Sequence, residues 1–491
     1  MRCRLRCRPG QRNQRLPRVR RVQRVQRVDL FASVVVFLVA LPLCVGVAVA
    51  SGVPAELGIV TGIVGGLVAG VLPGSSLQVS GPAAGLTVLV YEAVRTYGIR
   101  ALGVLVLAAG LLQIGLGVLR LGRWFRAVSV AVVQGMLAGI GLVLIAGQAY
   151  ALGDAAMDVP GDGLGKIAGL VALPGAWDPV ALAVGAGTVG VLVLWPRWRA
   201  GARVLPAPLV AVVLASAVTA VLTAVGGFDV RRVEVRGLVD AVRVPSGGDF
   251  GVLADVGVLG TVVAFALIAS AETLFSSAAV DGMHRGAPTD YDKELIAQGA
   301  GNAVCGLLGA LPMTAVIVRS SANVRAGART KVSRVLHGVW LLVFAAALPA
   351  VLGVLPLAAL AGLLVHAGWK LVPVRTVRGW RREHPGEVVV FGVTAGAIVA
   401  TNLFEGVLVG IALAVGKTAW DISHVQVVVE EVLDVDAVVV RVSGNATFLR
   451  LPKLLDALEG VPVDREVRVE LGGLRHVDHA CAVALEGWVL G

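Results

Sequence analysis

Glu272 stands alone in an apolar stretch, residues 256–280, with Ser276 one helical turn further on. Residues four apart share a helix face, so a carboxylate and a hydroxyl would point the same way out of an otherwise hydrocarbon-like segment. A charge at the centre of a membrane helix costs about 2.5–3.5 kcal/mol on insertion scales. Such a residue is expected to face a cavity and to serve an ion or a proton, with Ser276 as a further oxygen ligand. Two other places interrupt apolar sequence with small and polar residues. Gln78, Ser80, Gly81, Ala83, Ala84 and Gly85 flank the first, at Pro82; Met313, Thr314 and Ala315 follow the second, at Pro312. The segments that begin there, 82–94 and 313–324, are too short to cross a bilayer. A helix starting at mid-depth presents unpaired N–H groups and the positive end of its dipole. Two such starts facing each other form an anion site without any buried cation, and the hydroxyls of Ser80 and Thr314 add donors. Arg319, in the second short segment, either adds positive potential to that cavity or snorkels to the membrane edge.

The elements that must carry these residues follow from composition. Apolar residues make up 57% of the 491 and charged residues 15%, against about 25% charged in ordinary globular chains. Mean hydropathy is +0.84. A water-exposed surface cannot be built from the remainder, so most of the chain must face lipid or other spans. The formal charge of +11 does not indicate a nucleic-acid partner. Residues 1–30 hold eleven Arg and one Asp, leaving the rest near neutral. The basic tail suits anionic lipid head groups or simple retention on one side. Five cysteines, among them Cys3 and Cys7, form no disulfide framework. No phosphate-binding loop, zinc-ligand spacing or nucleophile elbow is present, and the sequence implies neither an enzyme nor a cofactor.

About 20 apolar residues span a bilayer. Runs of this kind lie at 31–49, 57–72, 101–119, 127–148, 180–195, 206–224, 257–279, 294–310, 333–351, 355–370, 387–401 and 403–417. With the two short segments they make fourteen, or seven plus seven. Paired broken segments in matching positions point to a site between inverted repeats. With the N-terminus inside, the cytoplasmic loops carry Arg120, Arg123 and Arg126; Arg197, Arg199 and Arg203; Arg325, Arg329, Lys331 and Arg334; and Lys370, Arg375, Arg378, Arg381 and Arg382. The outer loop 150–179 sets Asp154, Asp158, Asp162 and Asp178 against Lys166. This obeys the positive-inside rule and puts both termini in the cytoplasm. Asp281, His284, Asp290, Asp292 and Glu294 read as a solvated connector. Beyond Lys417, strands at 423–428, 436–442 and 466–471 and helices at 446–458 and from 479 predict a small α/β unit, which at Gly491 looks truncated.

The stretch 29–90 resembles the sulfate permease (SulP) family of inorganic anion transporters. The carrying strings are ALPLCVGVAVASGVPAELG at 40–58 and GSSLQVSGPAAG at 74–85. They are supported by LGRWFRAVSVAVVQGMLAGIG at 121–141, ELIAQGAGNAVCGLLGALP at 294–312 and VRSSANVRAGARTKVS at 318–333. The end of the chain is similar to the first half of the STAS domain that follows the spans in this family, with VRVSGNATFLRLPKLLDAL at 440–458 and VELGGLRHVDHA at 469–480. The resemblance implies an α-helical polytopic membrane protein of the cytoplasmic membrane, with fourteen segments in 7+7 inverted repeats forming core and gate domains, often a homodimer. It divides the chain into a basic tail (1–28), a transporter domain (29–417) and a partial STAS domain (418–491). The anion would lie between the two short helices, with Glu272 and Ser276 as the ion-coupling pair. Val316 and Ile317 stand where sodium-coupled bicarbonate members carry Ala and Thr, so H+ rather than Na+ is implied as coupling ion. Leu43 replaces a glutamine common after the first-span proline. Asp478 is followed by His479 and Ala480, not by a phosphorylatable residue. The implied activity is secondary active transport of sulfate or bicarbonate. Sodium-coupled bicarbonate uptake and an anion channel or exchanger of the same fold are the alternatives. A nucleobase permease is remote, because 311–324 contains no second carboxylate.

Overall fold

The computed structural model describes residues 18–123, 129–155, 163–198, 201, 205–235, 237–432, 437–461 and 466–490. Cys3, Cys7, Arg126, Asp158, Asp162, Arg199 and Arg203 lie outside the described residues. Helix α1 (Arg18–Ala50) takes in residues 18–28, which the sequence assigns to a tail. That stretch contains only Arg, Val and Gln, with no Gly or Pro to delay the helix. After the turn at 51–54 come α2 (Ala55–Val64), a π-helical turn (Gly65–Ala69) and an irregular return to strand β1 (Ser80–Pro82). A 3-10 turn (Ala84–Leu86) leads into α3 (Thr87–Tyr97), and Gly98, at φ +82°, reverses the chain into α4 (Ile99–Val118).

Then follow α5 (Val130–Leu152), the short α6 (Gly163–Gly169), α7 (Pro179–Leu194) and α8 (Ala207–Gly226). Helix α7 shows a regular start. The Asp178 carboxylate accepts from Val180 N and Ala181 N, and Pro179 occupies the first turn, where no N–H is needed. The second half runs through α9 (Val256–Asp281), α10 (Tyr291–Leu307), β2 (Met313–Ala315), α11 (Ile317–Arg325), α12 (Val332–Ala347), α13 (Leu357–Leu371), the exposed basic α14 (Val374–Glu383), α15 (Pro385–Ala400) and α16 (Leu403–Ile422).

Helix occurs in every apolar segment expected from the sequence. Among the described residues eight helices are long and apolar enough to cross a membrane, and shorter apolar helices accompany them. The chain is a multi-pass helical membrane protein. Helices α4 and α10 come into backbone contact because Gly103 and Gly110 meet Gly306 and Gly299, the small-residue packing expected where lipid provides no hydrophobic drive.

One expectation needs correction. The short helices begin later than the prolines suggest, at Thr87 and Ile317: strand β1 runs up to Pro82 and the 3-10 turn Ala84–Leu86 precedes α3, while β2 occupies the residues after Pro312. Strands β1 and β2 pair antiparallel, Ser80 with Ala315, Gly81 with Thr314 and Pro82 with Met313. Backbone groups that cannot find helical partners at mid-depth therefore satisfy one another.

The C-terminal unit is a three-stranded sheet in the order β3-β4-β5: β3 (Val425–Val432) is antiparallel to β4 (Ala437–Ala446), and β4 is parallel to β5 (Glu466–Val477). Val438, Val440 and Val442 are fully buried at the two-residue period of a half-buried strand. They pack on Leu454 and Leu458 of α17 (Leu451–Glu459) and on Cys481 and Leu485 of α18 (His479–Leu490). Helix α17 starts five residues later than expected, since β4 runs to Ala446 and a 3-10 turn (Phe448–Arg450) intervenes. Arg450 ties this unit to the end of α16, donating to Ser423 O at 2.9 Å and lying 4.2 Å from the Trp420 ring.

Candidate functional site

The strand pair is held from three sides. Asn302 on α10 donates to Met313 O (3.0 Å) and accepts from Met313 N (2.7 Å), completing β2's outward hydrogen bonds, and it also donates to Gln113 of α4. Val316 N donates to Val79 O at 3.0 Å, while the Ser320 hydroxyl accepts from Val79 N at 2.9 Å and Asn323 donates to Leu77 O. Helix α11 is thereby fixed to the strand of the other half of the chain. The irregular return 70–79 is fixed by two buried charges of opposite sign. Arg334 donates to the carbonyls of Gly70, Leu72 and Gln78, and Glu294 accepts from Ser75 N at 2.7 Å. Arg334 and Glu294 are 2% and 0% exposed, so neither belongs to the solvated loops in which the sequence places them.

With the pair fixed, α3 and α11 start beside one cavity of about 70 Å³. Of the expected residues, Ala84, Val316 and Arg319 line it, with Glu272 and Ser276 from α9. Pro82, Gly85, Leu43 and Val47 are also on its wall, so the α1 side of the cavity is apolar. The Glu272 carboxylate rests on Gly85, where a β-carbon would lie 3.0 Å from both oxygens. One of those oxygens is buried without a hydrogen-bond partner. Thr314, fully buried, approaches this carboxylate from the strand pair.

Other expected residues turn elsewhere. Gln78 is buried against α9, donating to Thr273 O (3.0 Å) and accepting from the Ser277 hydroxyl (2.8 Å). The Ser80 hydroxyl accepts from Gln298 at 2.6 Å. Ala315 N donates to Thr273 Oγ1 at 3.3 Å. These residues, with Gly81 and Ala83, build the strand pair and its supports, not the cavity wall. The expectation of a site without a buried cation is also corrected. Arg319 is 0% exposed and does not snorkel. Its guanidinium packs on Gly81, with Cys44 and His337 nearby, and none of its three nitrogens makes a hydrogen bond within the protein. The arrangement therefore combines two helix starts, a guanidinium without a hydrogen-bonded partner and a carboxylate in one small cavity. An entering anion can be attracted without meeting a preformed ion pair.

The sequence held one unused signal for the supports. Glu294, Gln298 and Asn302 repeat every four residues on an apolar span, a polar stripe on a single face of α10.

The family model described as the sulfate permease family matches residues 27–394. The chain is 28% identical over 415 residues to the bicarbonate transporter BicA of Picosynechococcus, covering 81% of this chain and 71% of that one. It is 26% identical over 391 residues to YvdB of Bacillus subtilis (strain 168), named for sulfate transport, covering 79% and 72%. Among solved structures, the transmembrane domain of a cyanobacterial BicA superposes with a TM-score of 0.66 at 25% identity, covering 80% of this chain and 98% of that domain. The murine solute carrier 26 family member A9 in its inward-facing state shares the fold, with a TM-score of 0.76 at 16% identity, over 94% and 83% of the two chains.

Proposed function

The chain belongs to the sulfate permease family, and from that premise we propose that it is a secondary active transporter of a small inorganic anion, sulfate or bicarbonate, driven by protons. The observation that carries this reading is the strand pair Ser80–Pro82 with Met313–Ala315, which brings two helix starts, Arg319 and Glu272 to one cavity. The helix dipoles and the Arg319 guanidinium supply positive potential. Glu272, with Ser276 beside it, carries the coupling proton. Neutralising Glu272 removes the negative charge from the cavity, so proton and anion favour one another's binding, and coupling follows from that linkage. The two halves form 7+7 inverted repeats, and a core carrying both short helices moves against a gate so that the cavity opens to each side in turn. The orientation follows the arginine-rich loops, with both termini in the cytoplasm and the protein in the cytoplasmic membrane, as a homodimer. Residues 29–417 form the transport unit, preceded by the basic stretch 1–28, whose residues 18–28 belong to α1, and followed at 418–491 by a STAS-like domain. No cofactor is required beyond the coupling ion.

The test is uptake of labelled sulfate and of labelled bicarbonate into proteoliposomes, each with and without proton and sodium gradients. Accumulation of one anion that follows the proton gradient is expected. Accumulation that needs sodium alone would replace the coupling assignment, and conductance without any coupled gradient would make the protein a channel.

A further inference from the structure

A second cavity, of about 180 Å³, lies further along the same helices, on the side away from the arginine-rich loops, with Val49, Ala50, Thr87, Tyr91, Gln148 and Lys166 among its wall residues. Helices α1 and α5 wall both cavities, and the 3-10 turn that leads into α3 joins them on a third side. Ala84 of that turn lines the central cavity, and Thr87 and Tyr91 of α3 line the second; on α1, Val47 is followed by Ala50; on α5, Leu137 is followed by Gln148, three turns on. The two spaces are thus successive stations along one continuous wall.

Two polar groups stand out in the second space. Lys166, from α6, is only 4% exposed. Its ammonium lies 5.7 Å from the centre of the Tyr91 ring, with Glu92 near enough to interact with it. Thr87 lines the cavity and is 3% exposed, and its buried hydroxyl has no hydrogen-bond partner in the protein. Buried hydroxyls are nearly always satisfied, so an unsatisfied one on a residue of the cavity wall, one side-chain rotation from the space, marks a place for a ligand atom. A water needs about 10–15 Å³ of such space, so this cavity has room for a small oxyanion that keeps part of its hydration shell. Lys166 comes from the segment between α5 and α7, and Tyr91 and Thr87 from α3, so a ligand here would bridge two separate elements.

We propose that this cavity is a second, outer anion station, in which the Lys166 ammonium and the Thr87 hydroxyl hold a small inorganic oxyanion on its way to the central cavity. The inference rests on the transporter reading and its orientation. Glu92 and the anion compete for Lys166, which keeps the station weak enough to release its ligand inward.

The experiment measures half-saturation from each face separately, in proteoliposomes of known orientation, using sulfate. Lys166→Gln is expected to raise the external half-saturation concentration about tenfold, the loss of one charge-assisted hydrogen bond, with the maximal rate and the internal half-saturation kept. Lys166→Arg should restore it, and Thr87→Val should raise it by a smaller factor. An unchanged external value in both Lys166→Gln and Thr87→Val overturns the station, as does an equal loss from both faces. Selenate soaked into crystals of the full chain gives a second, transport-independent readout. An anomalous peak beside Lys166 that vanishes in Lys166→Gln supports the station, and no peak in the unmodified protein overturns it. If the unmodified protein moves neither sulfate nor bicarbonate, the transport reading fails on its own and the selenate result alone decides the station.

Discussion

Arg319 packs its guanidinium against the Cα of Gly81, so closely that a β-carbon at 81 would overlap Nη1 and come within 3.0 Å of Cζ. Gly81 is the middle residue of β1 and pairs with Thr314 of β2. The strand of one half of the chain thus omits a side chain where the cation of the other half enters. Gly81→Ala should push Arg319 aside without unfolding the protein, since the displaced atoms are the end of a flexible side chain. Anion uptake is expected to fall by about 10²-fold, the usual cost of a 1 Å misplacement in a site, while the melting temperature in detergent changes little. A large loss of thermal stability with residual uptake intact would contradict this.

Arg319 should also be a residue the fold tolerates rather than needs. A buried cation without hydrogen-bond partners keeps its desolvation cost. Arg319→Met is therefore expected to abolish transport while raising stability by about 1–3 kcal/mol, read by thermal unfolding of the purified protein. A destabilised variant would mean that Arg319 holds the structure together.

Glu272 rests on Gly85 and leaves one carboxylate oxygen without a partner. Glu272→Gln keeps the shape and removes the titration. Gradient-driven accumulation should disappear, while exchange of labelled for unlabelled anion continues at a measurable rate. Full accumulation in this variant would remove Glu272 from coupling.

Asn302 satisfies both backbone groups of Met313. Asn302→Ala leaves a buried N–H and a buried C=O open, at about 1–3 kcal/mol each. A clear drop in melting temperature with loss of uptake is expected, and unchanged stability would show that β2 does not depend on this clamp.

Asp478, outside the membrane spans, accepts from the N–H groups of Cys481 and Phe448. The backbone hydrogen bond from Cys481, reinforced by that from Phe448, holds its carboxyl below the usual range. A depressed folded-state pKa stabilises the fold fully above the unfolded value, about 3.9, and this contribution is lost as pH falls through the lower folded value. Hydrogen exchange in β4, β5 and α18 should therefore accelerate on acidification below about pH 4 after correction for intrinsic rates. Asp478→Asn should already exchange faster at neutral pH and show a weaker acid response. Identical profiles for the two proteins would exclude the cap as the acid-sensitive element.

Much of this architecture is legible in the sequence. Hydropathy alone locates the apolar helices, because a bilayer imposes one length and one composition on whatever crosses it. Pro82 and Pro312 mark both breaks, and the spacing of Glu272 and Ser276 puts them on one face that does line the cavity. Strand alternation from Val438 to Val442 reveals the C-terminal sheet. All of these are local properties, written within one or two turns of chain.

Which polar groups meet is not local. Ser80 finds its partner in Gln298, 218 residues away, and Gln78 finds Thr273 and Ser277 nearly as far off, so two residues that read as ligands are instead supports. Arg319 stands in a stretch rich in basic residues, yet it is buried and Arg325 is not. Periodicity says which residues share a face of one helix; it says nothing of what that face will touch. The sequence alone determined the spans, the two interruptions and the carboxylate. Only the tertiary structure decided that the interruptions pair as strands and that Arg319 rather than Ser80 faces the cavity, because hydrogen-bond satisfaction at mid-membrane is settled between segments and not within them.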